Sequence, residues 1–235
     1  MIVLEISGAA KDYRGLRPLR IERLAVEAGE QIALLGFDAP TAEVFVNLAT
    51  GTALPDAGAV AVFGRATSAI ADSDDWLRFV DRFGIVSERA VLLEQLTPIQ
   101  NLAMPFTLDV EPPPDDIRAR AERLAGEVGV AEADRRLPVA RLDAAVRLRL
   151  RLGRALALDP ELLLLEHPSA TLTPDAARAF ASDLRAISAR RGLATIALTA
   201  DESFARAMSA RVLTLDPATG RLAEPARRRW FRRLG

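Results

Sequence analysis

Apolar and polar positions along the chain form a pattern that predicts strands separated by helices. Ile2–Ile6 and residues 20–27 alternate as half-buried strands do, with Lys11–Leu19 as a polar turn between them. The apolar runs Ile32–Leu35 and Leu162–Leu165 predict two further strands, and the second is typical of a strand buried on both faces of a parallel sheet. Because strands and helical segments keep alternating, the pattern predicts an α/β domain with a right-handed, mostly parallel sheet.

Helical periodicity and capping residues mark the segments between the strands. Ser73–Phe83 is predicted as a short helix with Ser73 as its N-cap, and Thr97 followed by Pro98 predicts another helix start. Residues 142–158 are ambiguous, because VRLRLRL alternates like a strand. Helix is favoured, since its leucines and its arginines form two opposite stripes. Further helices are predicted from Asp115 and at 174–190 and 202–210, and further strands at 59–63, 84–87, 193–198 and 212–215.

The stretch from Gln31 to Gly51, QIALLGFDAPTAEVFVNLATG, is predicted to form a strand, a tight loop and a helix. A P-loop presents backbone N–H groups to phosphates in this arrangement, in the register G-x-x-x-x-G-K-[ST]. Counted from Gly36, Thr41 takes the place of the second glycine, Ala42 that of the lysine and Glu43 that of the hydroxyl residue. The frame of a P-loop is therefore present without its phosphate-binding residues.

Composition narrows the class of protein. With 235 residues and 50% hydrophobic content, the chain can bury one large core, or a core with a smaller lobe. A net charge of −1 argues against general affinity for nucleic acid. The N-terminus does not resemble a secretory signal, and no apolar run is long enough to span a bilayer. We therefore expect a soluble or membrane-peripheral protein.

Three scarce residue types limit the chemistry. The chain has no cysteine, so it has no disulfide or thiolate site, and its redox compartment stays undecided. Lys11 is its single lysine and His167 its single histidine, so the other basic residues are all arginine. A P-loop lysine is therefore absent in every plausible register.

Three segments resemble one protein family. ALALDPELLLLEHPSATLTP (155–174), LLEQLTPIQNLAMPF (92–106) and ALTADESFARAMSARVLTLD (197–216) are similar, in order and spacing, to segments of ATP-binding-cassette (ABC) transporter ATPase subunits. The resemblance covers nearly the whole chain. It implies an α/β fold with a P-loop NTPase-like (RecA-like) core in a single domain of residues 1–235. An N-terminal antiparallel β subdomain (about 1–30 and 52–66) and an inserted α-helical subdomain (about 88–158) would complete it.

The nucleotide-binding positions implied by the resemblance are mostly altered. Tyr13 remains at the adenine-stacking position. Ala42 removes the cation that pairs with phosphates, Glu43 replaces a magnesium-binding hydroxyl with an anion, Asp38 adds a second carboxylate, and Pro40 lacks an N–H. The degenerate site would comprise Tyr13, Gly36, Phe37, Asp38, Ala39, Pro40, Thr41, Ala42 and Glu43.

The catalytic positions implied by the resemblance are altered as well. Glu88 stands at the Q-loop glutamine, Glu166 at the Walker B aspartate, His167 at the catalytic glutamate, Thr173 at the D-loop aspartate and Ala200 at the switch histidine. The signature LSGGQ is replaced by Leu142, Asp143, Ala144, Ala145 and Val146. The resemblance therefore implies that no catalytic set is intact.

Several functions stay open. The favoured hypothesis is a catalytically inactive cassette that acts as a structural or regulatory subunit, docked on a transmembrane transporter subunit and paired with itself or with an active cassette. It would lie in the cytoplasm, peripheral to the inner (plasma) membrane. The alternatives are an unorthodox ATPase that uses Glu166 for magnesium and His167 as base, and a pseudo-ATPase that regulates something other than transport. No cofactor is predicted firmly; ATP and magnesium stay open.

Individual residues also carry two interpretations each. His167 is either a base or metal ligand or a structural residue, and Tyr13 is either a remnant of adenine stacking or a turn residue. Glu43, Glu88 and Glu166 either converge on a cation or remain solvated, and no metal site is predicted.

Two surfaces are candidates for contact with partners. Val91, Leu92, Leu93, Met104 and Phe106 would, by the resemblance, face the groove that accepts the coupling helix of the membrane subunit; the alternative is ordinary packing against helix 97–105. The C-terminal segment from Arg227 to Arg233 combines five arginines with Trp230 and Phe231. This composition suits an anionic membrane surface or an acidic partner, and equally a solvated tail.

Overall fold

The structure, a computed structural model, describes residues 1–224, so the arginine-rich segment Arg227–Arg233 lies outside the described residues. The strands are β1 (Ile2–Lys11), β2 (Leu19–Glu27), β3 (Gln31–Leu35), β4 (Ala57–Val62), β5 (Arg65–Ala66), β6 (Phe83–Val86), β7 (Leu162–Glu166), β8 (Ala194–Leu198), β9 (Arg211–Asp216) and β10 (Arg221–Ala223). The α-helices are α1 (Ala39–Ala49), α2 (Ser73–Val80), α3 (Pro98–Ala103), α4 (Asp115–Glu127), α5 (Ala144–Leu156), α6 (Pro174–Arg191) and α7 (Glu202–Met208).

Two sheets organise these elements. A six-stranded sheet has the order β10-β9-β3-β8-β7-β6, and all its pairings except β9 with β10 are parallel. A four-stranded antiparallel sheet has the order β2-β1-β4-β5. The α/β class with a mostly parallel sheet, predicted from the alternation of strands and helices, is confirmed.

The wholly apolar strands are explained by packing on both faces of the six-stranded sheet. Leu162 and Leu164 of β7 belong to a buried cluster shared with α1 and the antiparallel sheet. Leu163 and Leu165 belong to a second cluster, shared with α4, α5 and α6. Because successive side chains of a strand point to opposite faces, a strand between two cores must be apolar at every position.

The helix predictions are mostly confirmed, with one correction at a cap. Residues 144–156 form a helix, because Leu148, Leu152 and Leu156 share one buried face. Thr97 caps α3 in a reciprocal capping box with Gln100. The prediction that Ser73 caps α2 is wrong: the preceding Asp72 takes that role, and its carboxylate accepts a hydrogen bond from the N–H of Asp75 at 2.9 Å.

Among residues 1–224, no helix combines the length and the apolar character that crossing a membrane requires.

Candidate functional site

The candidate site lies along the carboxyl edge of the parallel sheet, where four strands end side by side. β3 leads into the loop Gly36–Asp38, β6 ends before Ser87, β7 ends at Glu166 and β8 ends before Thr199. Crevices at this edge are the usual ligand sites of open α/β sheets. The topology therefore places residues that are far apart in sequence, such as Gly36 and Thr199, at the ends of adjacent strands.

Close packing fixes the loop between β3 and α1. Gly36 has a φ of +86°, and a Cβ there would lie 2.9 Å from the carbonyl oxygen of Leu215, so only glycine fits. Phe37 is buried and packs edge-to-face on Phe45, with ring centroids 5.7 Å apart. The loop is thus anchored by a glycine and an aromatic ring on the core side, which leaves Asp38 facing the start of α1.

Asp38 occupies the N-terminus of α1 with its own carboxylate. The N–H of Thr41 donates to Asp38 Oδ1 at 2.9 Å, and the hydroxyl of Thr41 donates to the same oxygen at 2.6 Å. These two hydrogen bonds hold the pKa of the Asp38 carboxyl below its ordinary value of 3.8. An N-terminus that could attract an external anion is therefore already capped by an anion of the chain.

The neighbouring positions of α1 supply no cation. Pro40 has no N–H, and the N–H of Ala42 donates to the carbonyl oxygen of Asp38 at 2.9 Å, as in an ordinary first helical turn. The side chain of Ala42 is fully buried in the core, and Ala39 and Glu43 face the adjacent cavity. Thus the N–H groups of Thr41 and Ala42 both donate to Asp38, and the charged side chains at this end of α1, Asp38 and Glu43, are negative.

The guanidinium of Arg89 lies between two carboxylates, that of Glu166 at the end of β7 and that of Glu43 in α1. Arg89 Nη1 donates to Glu43 at 2.6 Å, and Arg89 also forms an ion pair with Glu166. The Ser87 hydroxyl donates to the second oxygen of Glu166 at 2.6 Å, so both oxygens of this nearly buried carboxylate are engaged. The local cation of the site is therefore an arginine of the chain itself.

Arg89 and Ser87 were missed by the sequence reasoning, which weighed only positions named by the family motif. The signal that points to them is electrostatic. Carboxylates that converge at one edge of the sheet, as Glu43 and Glu166 do, need a cation nearby. Arg89 is the basic residue closest in sequence to the end of β6 at that edge.

Glu88 points away from this cluster. Its carboxylate accepts a hydrogen bond from Arg151 of α5 at 3.0 Å. The structure therefore brings together Glu43 and Glu166 but not Glu88, which corrects the idea that all three carboxylates converge. Within residues 1–224, no group of three or more acidic, histidine or cysteine residues is arranged to hold a metal ion.

His167 follows β7 in a left-handed backbone conformation, with a φ of +45°. Its backbone N–H donates to the carbonyl oxygen of Leu198 at 2.8 Å, which fixes the residue to the end of β8. The Nε2 atom is buried and has no hydrogen-bond partner among the described residues. The ring borders a cavity of about 280 Å³ that Ala200 and Asp201 also line. No group there is shown to orient the imidazole as a base.

Of the remaining sequence-predicted positions, Thr173 and Asp143 act as helix caps and Ala200 does not. Thr173 is the N-cap of α6, and its hydroxyl accepts from the N–H of Ala176 at 3.3 Å. Ala200 offers only a methyl group at the end of β8. Asp143 is the N-cap of α5 and accepts from the N–H of Val146 at 2.9 Å.

The other signature positions lie around that cap: Leu142 is buried, and Ala144, Ala145 and Val146 are half-buried. The N-terminus of α5, like that of α1, is therefore capped by the chain's own carboxylate.

Tyr13 borders a second cavity, of about 390 Å³, next to the loop. Asp38 and Thr41 line one side of it, and Arg17 and Leu215 contribute elsewhere. Burial, and secondly the negative charge of Asp38, raise the pKa of the Tyr13 hydroxyl above its ordinary value. The cavity has room for a planar ligand, but the carboxylate at its inner end disfavours a phosphate there.

The residues predicted for a partner groove are divided between three environments. Met104 lines a cavity of about 380 Å³ with Phe83, Ile85 and Leu158. Val91 and Leu93 are exposed, at 70% and 41%. Leu92 is a core residue at 7% exposure, and Phe106 lies under the guanidinium of Arg120, 3.9 Å from its ring centroid. The groove stays a prediction that rests on Met104, Val91 and Leu93.

Known proteins similar to this chain are transporter ATP-binding subunits. The methionine import ATP-binding protein MetN of Brucella abortus is 29% identical over 194 residues, which are 82% of this chain and 52% of MetN. The chain thus spans about half the length of the MetN proteins it matches. The lipoprotein-releasing system ATP-binding protein LolD of Chromohalobacter salexigens is 28% identical over 229 residues, 96% of this chain and 94% of LolD.

Solved structures point to the same fold. The dimeric structure of MJ0796, a bacterial ABC transporter cassette, superposes with a TM-score of 0.77 at 20% identity, covering 94% of this chain and 98% of that one. No protein-family profile matches the chain. From its relatives and its architecture together, the chain is a homologue of the ATP-binding subunits of ABC transporters and has the fold of their ATPase cassettes.

Proposed function

We propose that this chain is a non-hydrolytic cassette subunit of an ABC transporter complex. It docks on a transmembrane subunit at the cytoplasmic face of the inner membrane and pairs with a second cassette, either its own copy or an active relative. The observation that carries the proposal is the carboxylate of Asp38 at the N-terminus of α1, bonded to the N–H and the hydroxyl of Thr41.

The loss of phosphate binding follows from charge and hydrogen bonding. A phosphate at this helix start would meet the Asp38 carboxylate, and the N–H of Thr41 is already taken. No cation at Ala42 offsets the repulsion. One missing charge-assisted hydrogen bond costs about 1.5–3 kcal/mol, and a carboxylate about 4 Å from a phosphate adds about 1–4 kcal/mol at partly exposed sites. Together these terms predict nucleotide binding at least about a hundredfold weaker than in an intact P-loop.

The loss of hydrolysis has a separate basis. Phosphoryl transfer needs a divalent cation, a positioned water and stabilisation of the developing charge. The carboxylate of Glu166 is engaged by Arg89 and Ser87, and so is not free to hold a metal. Among residues 1–224, no acidic side chain forms a hydrogen bond with the buried Nε2 atom of His167, and Ala200 has no polar side chain.

The proposed pairing and docking draw on the relatives. MetN and LolD are named for methionine import and for a lipoprotein-releasing system, and the MJ0796 cassette is dimeric.

One observation favours a second candidate function. The buried Nε2 atom of His167 has no hydrogen-bond partner among the described residues, and the residue directly follows β7, so an unorthodox ATPase with His167 as base is the alternative. Such an enzyme requires magnesium to displace Arg89 from Glu166. It therefore predicts magnesium-dependent turnover that disappears in His167→Ala.

Calorimetric titration of the full chain with ATP, with and without magnesium, tests the proposal. We expect no saturable heat and no thermal shift at millimolar ATP, while LolD of Chromohalobacter salexigens, measured in parallel, binds. Micromolar binding by this chain would overturn the proposal. Turnover above background that is lost in His167→Ala would establish the alternative.

A further inference from the structure

The segment Ser87–Glu94 joins the parallel sheet to the helical part of the chain. It leaves the end of β6, passes the candidate site and reaches α3. It has no regular secondary structure, and only a few backbone hydrogen bonds hold it, such as that from the N–H of Ala90 to the carbonyl oxygen of Ser87 at 3.1 Å. Its position must therefore be set mainly by side chains.

On the sheet side, Arg89 links the segment to two different elements. Its guanidinium bridges Glu43 of α1, at 2.6 Å, and Glu166 of β7. Its backbone N–H donates to the Ser87 hydroxyl at 3.1 Å, and that hydroxyl donates in turn to Glu166 at 2.6 Å. The Arg89 side chain and the Ser87 hydroxyl thus connect the start of the segment to the end of β7, and Arg89 also connects it to α1.

On the helical side, arginines of one face of α5 bind the same segment. Arg151 donates to the carbonyl oxygen of Ala90 at 3.3 Å and to Glu88 at 3.0 Å. Arg154 donates to the carbonyl oxygen of Val91 at 2.6 Å. The Arg151 side chain is only 13% exposed, and burial lowers the pKa of Arg154 below its ordinary value, so both guanidinium groups are partly shielded although Glu88 is 56% exposed.

We infer that these arginines make Ser87–Glu94 a strut that holds the sheet and the helical part in one arrangement without any nucleotide, with Arg89 as its central link. Arg89 supplies inside the chain the positive charge that two facing carboxylates require. Without it, the carboxylates of Glu43 and Glu166 would lose the cation that they share. The strut concerns local order, so it can be tested whether or not the proposed loss of ATP binding holds.

Hydrogen–deuterium exchange of the full chain tests the strut at defined amides. The informative N–H groups are those of Arg89 and Ala90, whose acceptors both belong to Ser87. In Arg89→Gln we expect these amides to exchange about tenfold faster or more, because local opening no longer breaks a charge-assisted link. In the unaltered chain we expect their exchange to be the same with and without millimolar ATP and magnesium.

Two controls isolate the effect of Arg89. Arg185→Gln removes an equal charge from an exposed position of α6 and should leave the exchange of Ser87–Glu94 unchanged. Glu43→Gln removes only the link to α1, between two half-exposed side chains, so it should fold normally and give a smaller acceleration than Arg89→Gln. It keeps the inference testable if Arg89→Gln fails to fold.

Two results would overturn the inference. One is unchanged exchange at Arg89 and Ala90 when the links to Glu43 and Glu166 are removed. The other is a change in exchange across Ser87–Glu94 when ATP and magnesium are added to the unaltered chain, since a segment that responds to nucleotide is not held independently of it.

Discussion

The interior of β7 and the two residues at its end contrast sharply although they are adjacent in sequence. Leu162–Leu165 are all fully buried and pack into cores on both faces of the sheet. Glu166 and His167 come next: Glu166 forms an ion pair with Arg89 and accepts a hydrogen bond from Ser87, and the Nε2 atom of His167 is buried without a partner among the described residues. The interior depends on volume and apolarity, whereas the edge depends on particular polar groups. The contrast teaches that volume and apolarity are enough to specify the interior of the strand, whereas the arrangement at its end depends on side chains from other elements.

The largest expected effect comes from breaking the interior. Leu164→Ala removes a fully buried side chain from β7 and leaves a cavity between the sheet and α1. We expect the free energy of unfolding to fall by about 2–5 kcal/mol, measured by chemical denaturation followed by circular dichroism. Leu158→Ala, at a leucine that is 53% exposed, is the matched control and should cost about 0.5 kcal/mol or less. Equal costs would mean that burial does not separate the two positions.

The interior was also the part that sequence could predict. The run Leu162–Leu165 is apolar at every position, and this feature is local in sequence. The α5 helix could be chosen over a strand because Leu148, Leu152 and Leu156 recur at helical spacing. The cap of α2 was misassigned by one residue, because Asp72 and Ser73 are both good N-cap residues and only geometry decides between them.

The edge was predictable only in part. The register of the loop gives the positions of Asp38, Ala42 and Glu43, but six loop residues were expected after Gly36, and the structure instead begins α1 at Ala39 with Asp38 as its N-cap. The partner of Glu43 and Glu166 could not be predicted in the same way, because Arg89 is 46 and 77 positions from them and meets them only through the strand order. Contacts between side chains at the ends of different strands depend on the order of the strands, which cannot be read directly from a single sequence.

The ion pair between Arg191 and Glu127 lies away from the carboxyl edge of the sheet and is less exposed to solvent than the pair between Arg89 and Glu43. Arg191 at the end of α6 makes two hydrogen bonds to Glu127 of α4, at 2.8 and 2.6 Å, and both side chains are only about a fifth exposed. We expect Arg191→Ala to lower the free energy of unfolding by about 1–2 kcal/mol at neutral pH. Arg190→Ala is the control: Arg190 is 58% exposed and lies 3.4 Å from Glu127, so its loss should cost about 0.5 kcal/mol or less.

The pH dependence of that difference gives an independent check. The hydrogen bonds from Arg191 hold the pKa of Glu127 below its ordinary value of 4.5. The contribution of Arg191 is therefore complete above that ordinary value, and it is lost as the pH falls through the lowered one. The stability gap between the unaltered chain and Arg191→Ala should narrow in acid. A gap that stays constant down to low pH would show that Arg191 acts through packing rather than charge.

The smallest expected effect belongs to the cap at the edge, and it tests whether Asp38 serves the fold rather than a ligand. Asp38→Ala removes the acceptor for the N–H of Thr41 and should cost about 1 kcal/mol, whereas Asp38→Asn keeps an acceptor oxygen and should cost less. Because the folded-state pKa of Asp38 is lowered, the advantage of Asp38 over Asn is present above the ordinary value of 3.8 and disappears as the pH falls through the lowered one. Thermal unfolding of the three proteins across this range measures both effects. If Asp38→Ala were instead more stable than the unaltered chain, the carboxylate would be a source of strain at the helix start, as expected of a residue kept for binding. If Asp38→Ala is the least stable of the three proteins and the unaltered chain the most stable, Asp38 contributes to the stability of the fold, as the leucines of β7 do.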